Sequence, residues 1–111
     1  MKELQTLFSG SSGSVRSSPP GGGAVLLRFT AKWCKPCQNI APRFQELAAS
    51  GKFSGTEFLT VDIDRAMDVA AAYGVKSVPT FVLLGAGGKP ELRRITGGDM
   101  QQLEAALSKH N

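Results

Sequence analysis

The residues best suited to chemistry in this 111-residue chain are its only two cysteines, Cys34 and Cys37, three positions apart in Lys32-Trp-Cys-Lys-Pro-Cys37. A thiolate attacks a disulfide sulfur, and a second thiol one helical turn away can then attack the mixed disulfide that results. One sulfur would open a partner disulfide, and the other would release the reduced partner and leave a bridge between positions 34 and 37. A bridge closing so short a loop constrains the unfolded chain very little, so stability is not its use. Two inert thiols, or half of a zinc site, are the other uses of such a pair. Zinc takes four ligands, and the one further candidate of the usual type is His110. His110 reads instead as an exposed residue at a helix C-terminus, and a metal site shared between subunits has no support in the sequence.

The elements around the pair follow from hydropathy. Ala24-Val-Leu-Leu-Arg-Phe29 is a short apolar run of the kind buried on both faces of a sheet, with Arg28 as its polar exception. After it, Ile40, Ala41, Phe44, Leu47 and Ala48 recur at the spacing of one helix face, and Pro42 is expected to kink that helix. Cys34 falls at the helix start, where free N–H groups and the positive end of the dipole lower a thiol pKa. Glu57-Phe-Leu-Thr-Val-Asp62 reads as the next strand. A helix capped by Asp64 and ended by Gly74 follows, with Ala66, Val69, Ala70 and Tyr73 on one face. Thr80–Leu84 is a third strand, Gly85 to Gly88 a hairpin turn and Glu91–Ile95 a fourth strand. Asp99 caps a last helix with Met100, Leu103 and Leu107 inward. The order β-α-β-α-β-β-α predicts an α/β sandwich: a mixed sheet with a parallel crossover, an antiparallel edge strand and helices on both faces.

Composition narrows the classes. The chain is 41% hydrophobic and 20% charged, too apolar for disorder and of a length for one domain. No apolar run nears the roughly 18–20 residues that span a bilayer. The formal charge of +4 comes from 13 basic and 9 acidic residues scattered along the chain. With no basic run beyond Arg93-Arg94 and a single tyrosine, this reads as a solvated surface and not a nucleic-acid site. Residues 1–23 form a separate segment: Met1–Phe8, whose Leu4, Leu7 and Phe8 could dock as a short strand or turn, and a Gly/Ser/Pro tract from Ser9 to Gly23. That start lacks the apolar core of a secretory signal. It is serine-rich and acid-poor as organelle transit peptides are, but an irregular loop is the preferred reading and the expected location is cytoplasmic.

Several motifs occur together and in order. Phe29-Thr-Ala-Lys-Trp-Cys-Lys-Pro-Cys37, Ile40-Ala-Pro42 with Phe44, Val61-Asp-Ile-Asp64 and Tyr73-Gly-Val-Lys-Ser-Val-Pro-Thr-Phe81 resemble the thioredoxin family over residues 24–110. The resemblance implies the thioredoxin fold, with about four to five strands, in a domain spanning 24–111. It implies that Cys34 is the nucleophile and Cys37 the resolving thiol, with Trp33, Lys35, Pro36 and Arg28 around them. Pro79 matches the family's cis-proline opposite the cysteines, and the Val78 backbone beside it would pair with an extended substrate segment. Trp33 would belong to an apolar collar around Cys34, Thr80 would complete the Val78-Pro79-Thr80 groove, and Gly97 would let a substrate approach closely.

Three positions depart from that pattern. Lys35 replaces the usual glycine, which should favour the Cys34 thiolate and a somewhat more oxidising disulfide, unless it is simply solvated. Arg28 stands where most members carry a buried aspartate beneath the second cysteine, and Thr60 replaces the lysine that pairs with it in many bacterial members. An arginine cannot act as a base near pH 7, so the usual proton relay is absent. Arg28 is expected to lower the Cys37 pKa, to slow turnover or make it more selective, and to reach solvent or an edge carboxylate with its head group. A basic residue here is similar to the thioredoxin-like domain of larger eukaryotic cytosolic proteins. The third departure is the N-terminal segment, which replaces the family's first strand and helix and could leave a sheet edge open to a partner.

The resulting expectation is a protein dithiol–disulfide oxidoreductase that reduces disulfide-containing proteins, binds no cofactor or metal, and acts as a monomer away from nucleic acid and membrane. The Cys34–Cys37 disulfide would be recharged from NADPH through a thioredoxin reductase. The competing expectation is a redox-sensitive binding module of low turnover. An oxidant or isomerase role would need an oxidising compartment.

Overall fold

The computed structural model describes residues 23–86 and 90–110. Their elements are β1 (Val25–Thr30), α1 (Lys35–Ala49), β2 (Glu57–Asp62), α2 (Met67–Ala72), β3 (Thr80–Leu84), β4 (Glu91–Thr96) and α3 (Met100–His110). The order is the expected one, β2 and β3 have their expected bounds, and β1 is displaced by one residue. The readings of Met1–Phe8, of the Gly/Ser/Pro tract up to residue 22 and of the hairpin tip at 87–89 lie outside the described residues.

The strands form one mixed sheet in the order β2-β1-β3-β4. β1 and β2 are parallel, with Val25 opposite Glu57 and Thr30 opposite Asp62, so α1 is the crossover that carries the chain back. β3 runs antiparallel to β1, and β4 antiparallel to β3 with Thr80 opposite Thr96. The chain therefore re-enters the sheet at the end where β2 left it.

β1 lies inside the sheet and is apolar on both faces for that reason. Leu26 joins Phe58, Phe81, Leu83 and Ile95 under α1 and α3, which contribute Phe44, Leu47, Leu103 and Leu107. Leu27 and Phe29 join Leu59, Val61, Val82 and Leu84 on the opposite face, under Val69 and Ala70 of α2. Phe44 ties the first core together, edge-on to Phe58 at 5.7 Å and stacked on Phe81 at 6.0 Å. Each such side chain contributes about 1.5–3 kcal/mol through removal from water.

Helix ends repeat the expected chemistry in two places and correct it in a third. Asp99 Oδ1 accepts the N–H groups of Gln101 at 3.1 Å and Gln102 at 3.2 Å, capping α3. Gly74, at φ +65°, follows the end of α2. Asp64, however, does not cap α2: the capping position is Ala66, with no side-chain bond. Pro42 lies within α1, which continues through it to Ala49.

Candidate active site

Four segments meet at one end of the sheet. The turn after β1 carries Cys34, Ile63 follows β2, Val78-Pro79 precedes β3 and Gly97 follows β4. Backbone bonds tie them in pairs: Ile63 N–H donates to Thr30 O at 2.9 Å, and Gly97 N–H to Pro79 O at 2.8 Å.

Cys34 sits just ahead of the first turn of α1 with extended backbone, and its Sγ accepts the Cys37 N–H at 3.1 Å. Its carbonyl accepts the Gln38 N–H at 3.1 Å. The sulfur thus occupies the place a serine or aspartate oxygen takes in an ordinary cap, where an N–H and the helix dipole favour negative charge. The same Sγ lies 3.6 Å from Val78 O. Cys34 and Cys37 are joined by a disulfide across a Cα separation of 5.2 Å. Both are buried, 4% and 1% exposed, and pack with Ala31, Ile63 and Val78.

The other expected residues take distinct places. Trp33 stands at the rim, 67% exposed, and its indole N–H donates to Asp64 Oδ2 at 2.8 Å. This contact engages the carboxylate expected to cap α2. Lys35 and Pro36 are exposed in the first turn of α1, where a missing proline N–H costs nothing. The Val78-Pro79 peptide is cis, and Pro79 is buried. Thr80 is buried too and donates its hydroxyl to Ser77 O at 2.7 Å, so it braces the loop from within. Gly97 has φ +101°, a conformation that favours glycine, and a Cβ there would meet nothing within 4 Å. Open space therefore borders Pro79.

Arg28 is corrected by its surroundings. It does not reach solvent, and among the described residues it finds no carboxylate at the sheet edge. It is 7% exposed, its Nε and Nη2 donate to Thr60 Oγ1 at 3.4 and 3.3 Å, and its Cζ lies 4.6 Å from the centroid of the Phe44 ring. β1 is paired on both sides, so its inward side chains have no path out, and the guanidinium lies over the Phe44 ring face. Burial pushes the guanidinium below its ordinary value.

Sequence reasoning missed two residues, Ile63 and Asp64 as a tryptophan partner. The Val61-Asp-Ile-Asp64 motif was the available signal. His110 is half-buried in the last turn of α3. Among the described residues no group of three or more His, Cys, Asp or Glu side chains is placed to hold a metal ion, and no helix is long and apolar enough to cross a membrane.

The chain is similar to known proteins in sequence and fold. The Thioredoxin family model matches residues 20–109. Thioredoxin Asp f 29 of Aspergillus fumigatus is 38% identical over 90 residues, covering 81% of this chain and 80% of that protein. Thioredoxin H2-1 of Oryza sativa subsp. japonica is 42% identical over 84 residues, 76% of this chain and 58% of its own length. Among solved structures, thioredoxin NaTrxh from Nicotiana alata superposes with a TM-score of 0.75 at 31% identity, covering 99% of this chain and 86% of that one. With the cysteine pair at the head of α1 and the matching mixed sheet, the chain belongs to the thioredoxin family and is a protein dithiol–disulfide oxidoreductase.

Proposed function

We propose that Cys34 is the attacking thiolate and Cys37 the resolving thiol in the reduction of partner-protein disulfides. The observation that carries the assignment is the cap position of Cys34 Sγ, which accepts the Cys37 N–H and sits beside the Val78 carbonyl. Cys34 Sγ bonds to one sulfur of the partner while the other leaves as a thiolate and takes a proton. Cys37 then gives up its proton and attacks Cys34, which expels the reduced partner and restores the bridge. In this reading the partner segment lies extended along Val78, with Pro79 and Thr80 holding that edge, Gly97 leaving room and Trp33 at the rim. Lys35 and Pro36 shape the approach to the pair.

The same reading places the redox chemistry in residues 24–111, with residues 1–23 as an appended segment, and describes a cytoplasmic monomer. A thioredoxin reductase would return two electrons from NADPH after each cycle. The test is NADPH oxidation by a thioredoxin reductase with catalytic amounts of the full chain and a disulfide protein. Many turnovers, abolished by Cys34→Ser, with a one-to-one mixed disulfide trapped by Cys37→Ser, are expected. A single stoichiometric exchange would sink the enzyme reading in favour of a redox-sensitive binding module.

A further inference from the structure

Arg28 is a buried ionisable side chain that the proposed cycle leaves unused. Arg28 lies in the core beneath α1, and its partners are a threonine hydroxyl and a phenylalanine ring. Among the described residues no carboxylate forms an ion pair with it. A guanidinium keeps its proton throughout the ordinary pH range, so this is a lasting positive charge in a medium that screens poorly. Such a charge is costly unless an anion answers it.

The anion available is a thiolate. Phe44 follows Cys37 by seven residues on the same buried face of α1, about 10 Å along the helix. With Cζ 4.6 Å from the Phe44 ring centroid, the guanidinium lies on the order of 10–15 Å from the cysteine pair. The oxidised pair is neutral and gains nothing from it. Reduction places two electrons and two protons on the Cys34–Cys37 bond, and above the thiol pKa one proton leaves and a thiolate remains. We propose that Arg28 is the buried counter-charge for that thiolate, and that the chain is a weaker reductant than one without this charge, by a margin that grows as pH rises through the thiol pKa. A stabilised reduced form is what makes a disulfide more oxidising.

The other charges nearby are Lys32 before Cys34, Asp62 at the end of β2, Lys35 and Arg43 on α1, Glu104 on α3, and Asp64 and Lys76 at the rim. All are exposed or half-exposed, so water screens them more than it screens Arg28. At roughly 10–15 Å and an effective dielectric of about 20, one charge changes the thiolate ionisation constant about 5- to 15-fold.

The inference rests on the proposed cycle, and one experiment separates the two. The full chain, Arg28→Met and Arg28→Leu are equilibrated with glutathione and glutathione disulfide at pH 5.5 and 8.5. In each sample two glutathione thiols are oxidised for every Cys34–Cys37 bond reduced, and the reduced fraction is counted by alkylation. The ratio of variant to wild type cancels the ionisation of glutathione itself. The expected ratio is near one at pH 5.5. At pH 8.5 the variants favour the oxidised form about 5- to 15-fold. A ratio equal at both pH values would mark Arg28 as purely structural and overturn the inference, as would a shift of opposite sign. A wild-type chain that never equilibrates with glutathione would overturn the cycle itself.

Discussion

Trp33 and Asp64 show what a single contact does at this site. The indole is largely solvent-exposed yet fixed by its N–H on the carboxylate, which orients a large flat side chain next to Cys34. An exposed contact of this kind adds little to stability, so the effect expected of it is on docking. Asp64→Ala is expected to leave the unfolding midpoint nearly unchanged and to lower kcat/KM for a protein disulfide about two- to fivefold, the worth of roughly 0.4–1 kcal/mol. Steady-state rates with a protein substrate beside those with a small-molecule disulfide check it, since only the former should fall. The sequence reading of Asp64 as a helix cap fails here for a physical reason. Its local context resembles a cap, but a partner 31 residues away in sequence holds the carboxylate, and hydropathy and capping patterns carry no such information.

Among the elements, α3 shows how a helix end turns pH into stability. The Gln102 backbone N–H, then the Gln102 side chain and the Gln101 N–H, hold the Asp99 carboxyl below its ordinary value. The folded chain therefore keeps this group ionised at pH values where the unfolded chain protonates it. The stabilisation is complete above the ordinary carboxylate range and is lost as pH falls through the lowered value. Melting curves from pH 6 down to pH 3 should show Asp99→Ala destabilised at the upper end and converging on wild type at the lower end. A constant offset would contradict the assignment. This cap was legible because it is local: an aspartate directly before a helical apolar pattern. The strand bounds of β2 and β3 were legible for the same reason, as apolar runs between polar breaks. The direction of β3 was not, because the connection from residue 63 to residue 79 is long enough to bring the chain back at either end of the sheet.

For the molecule as a whole, the sheet divides two cores, and the one under α1 and α3 holds both the aromatic cluster and Arg28. Phe58 is fully buried there against Phe44. Phe58→Ala is expected to lower the free energy of unfolding by about 3–5 kcal/mol, a large part of a typical domain's stability, as read by denaturant titration. Much of this core was legible from periodicity, including Phe44, Leu47, Leu103 and Leu107, and the cysteine pair was legible from spacing. The environment of Arg28 was not, since whether an inward arginine meets a carboxylate or a ring is decided by the packing of three separate elements. The placement of Trp33 has one further consequence. It is the single tryptophan of the chain, and it stands next to the residue whose bond changes in every cycle. Its emission therefore comes from one known place, free of any other indole, and is expected to change in intensity when the bridge opens or closes.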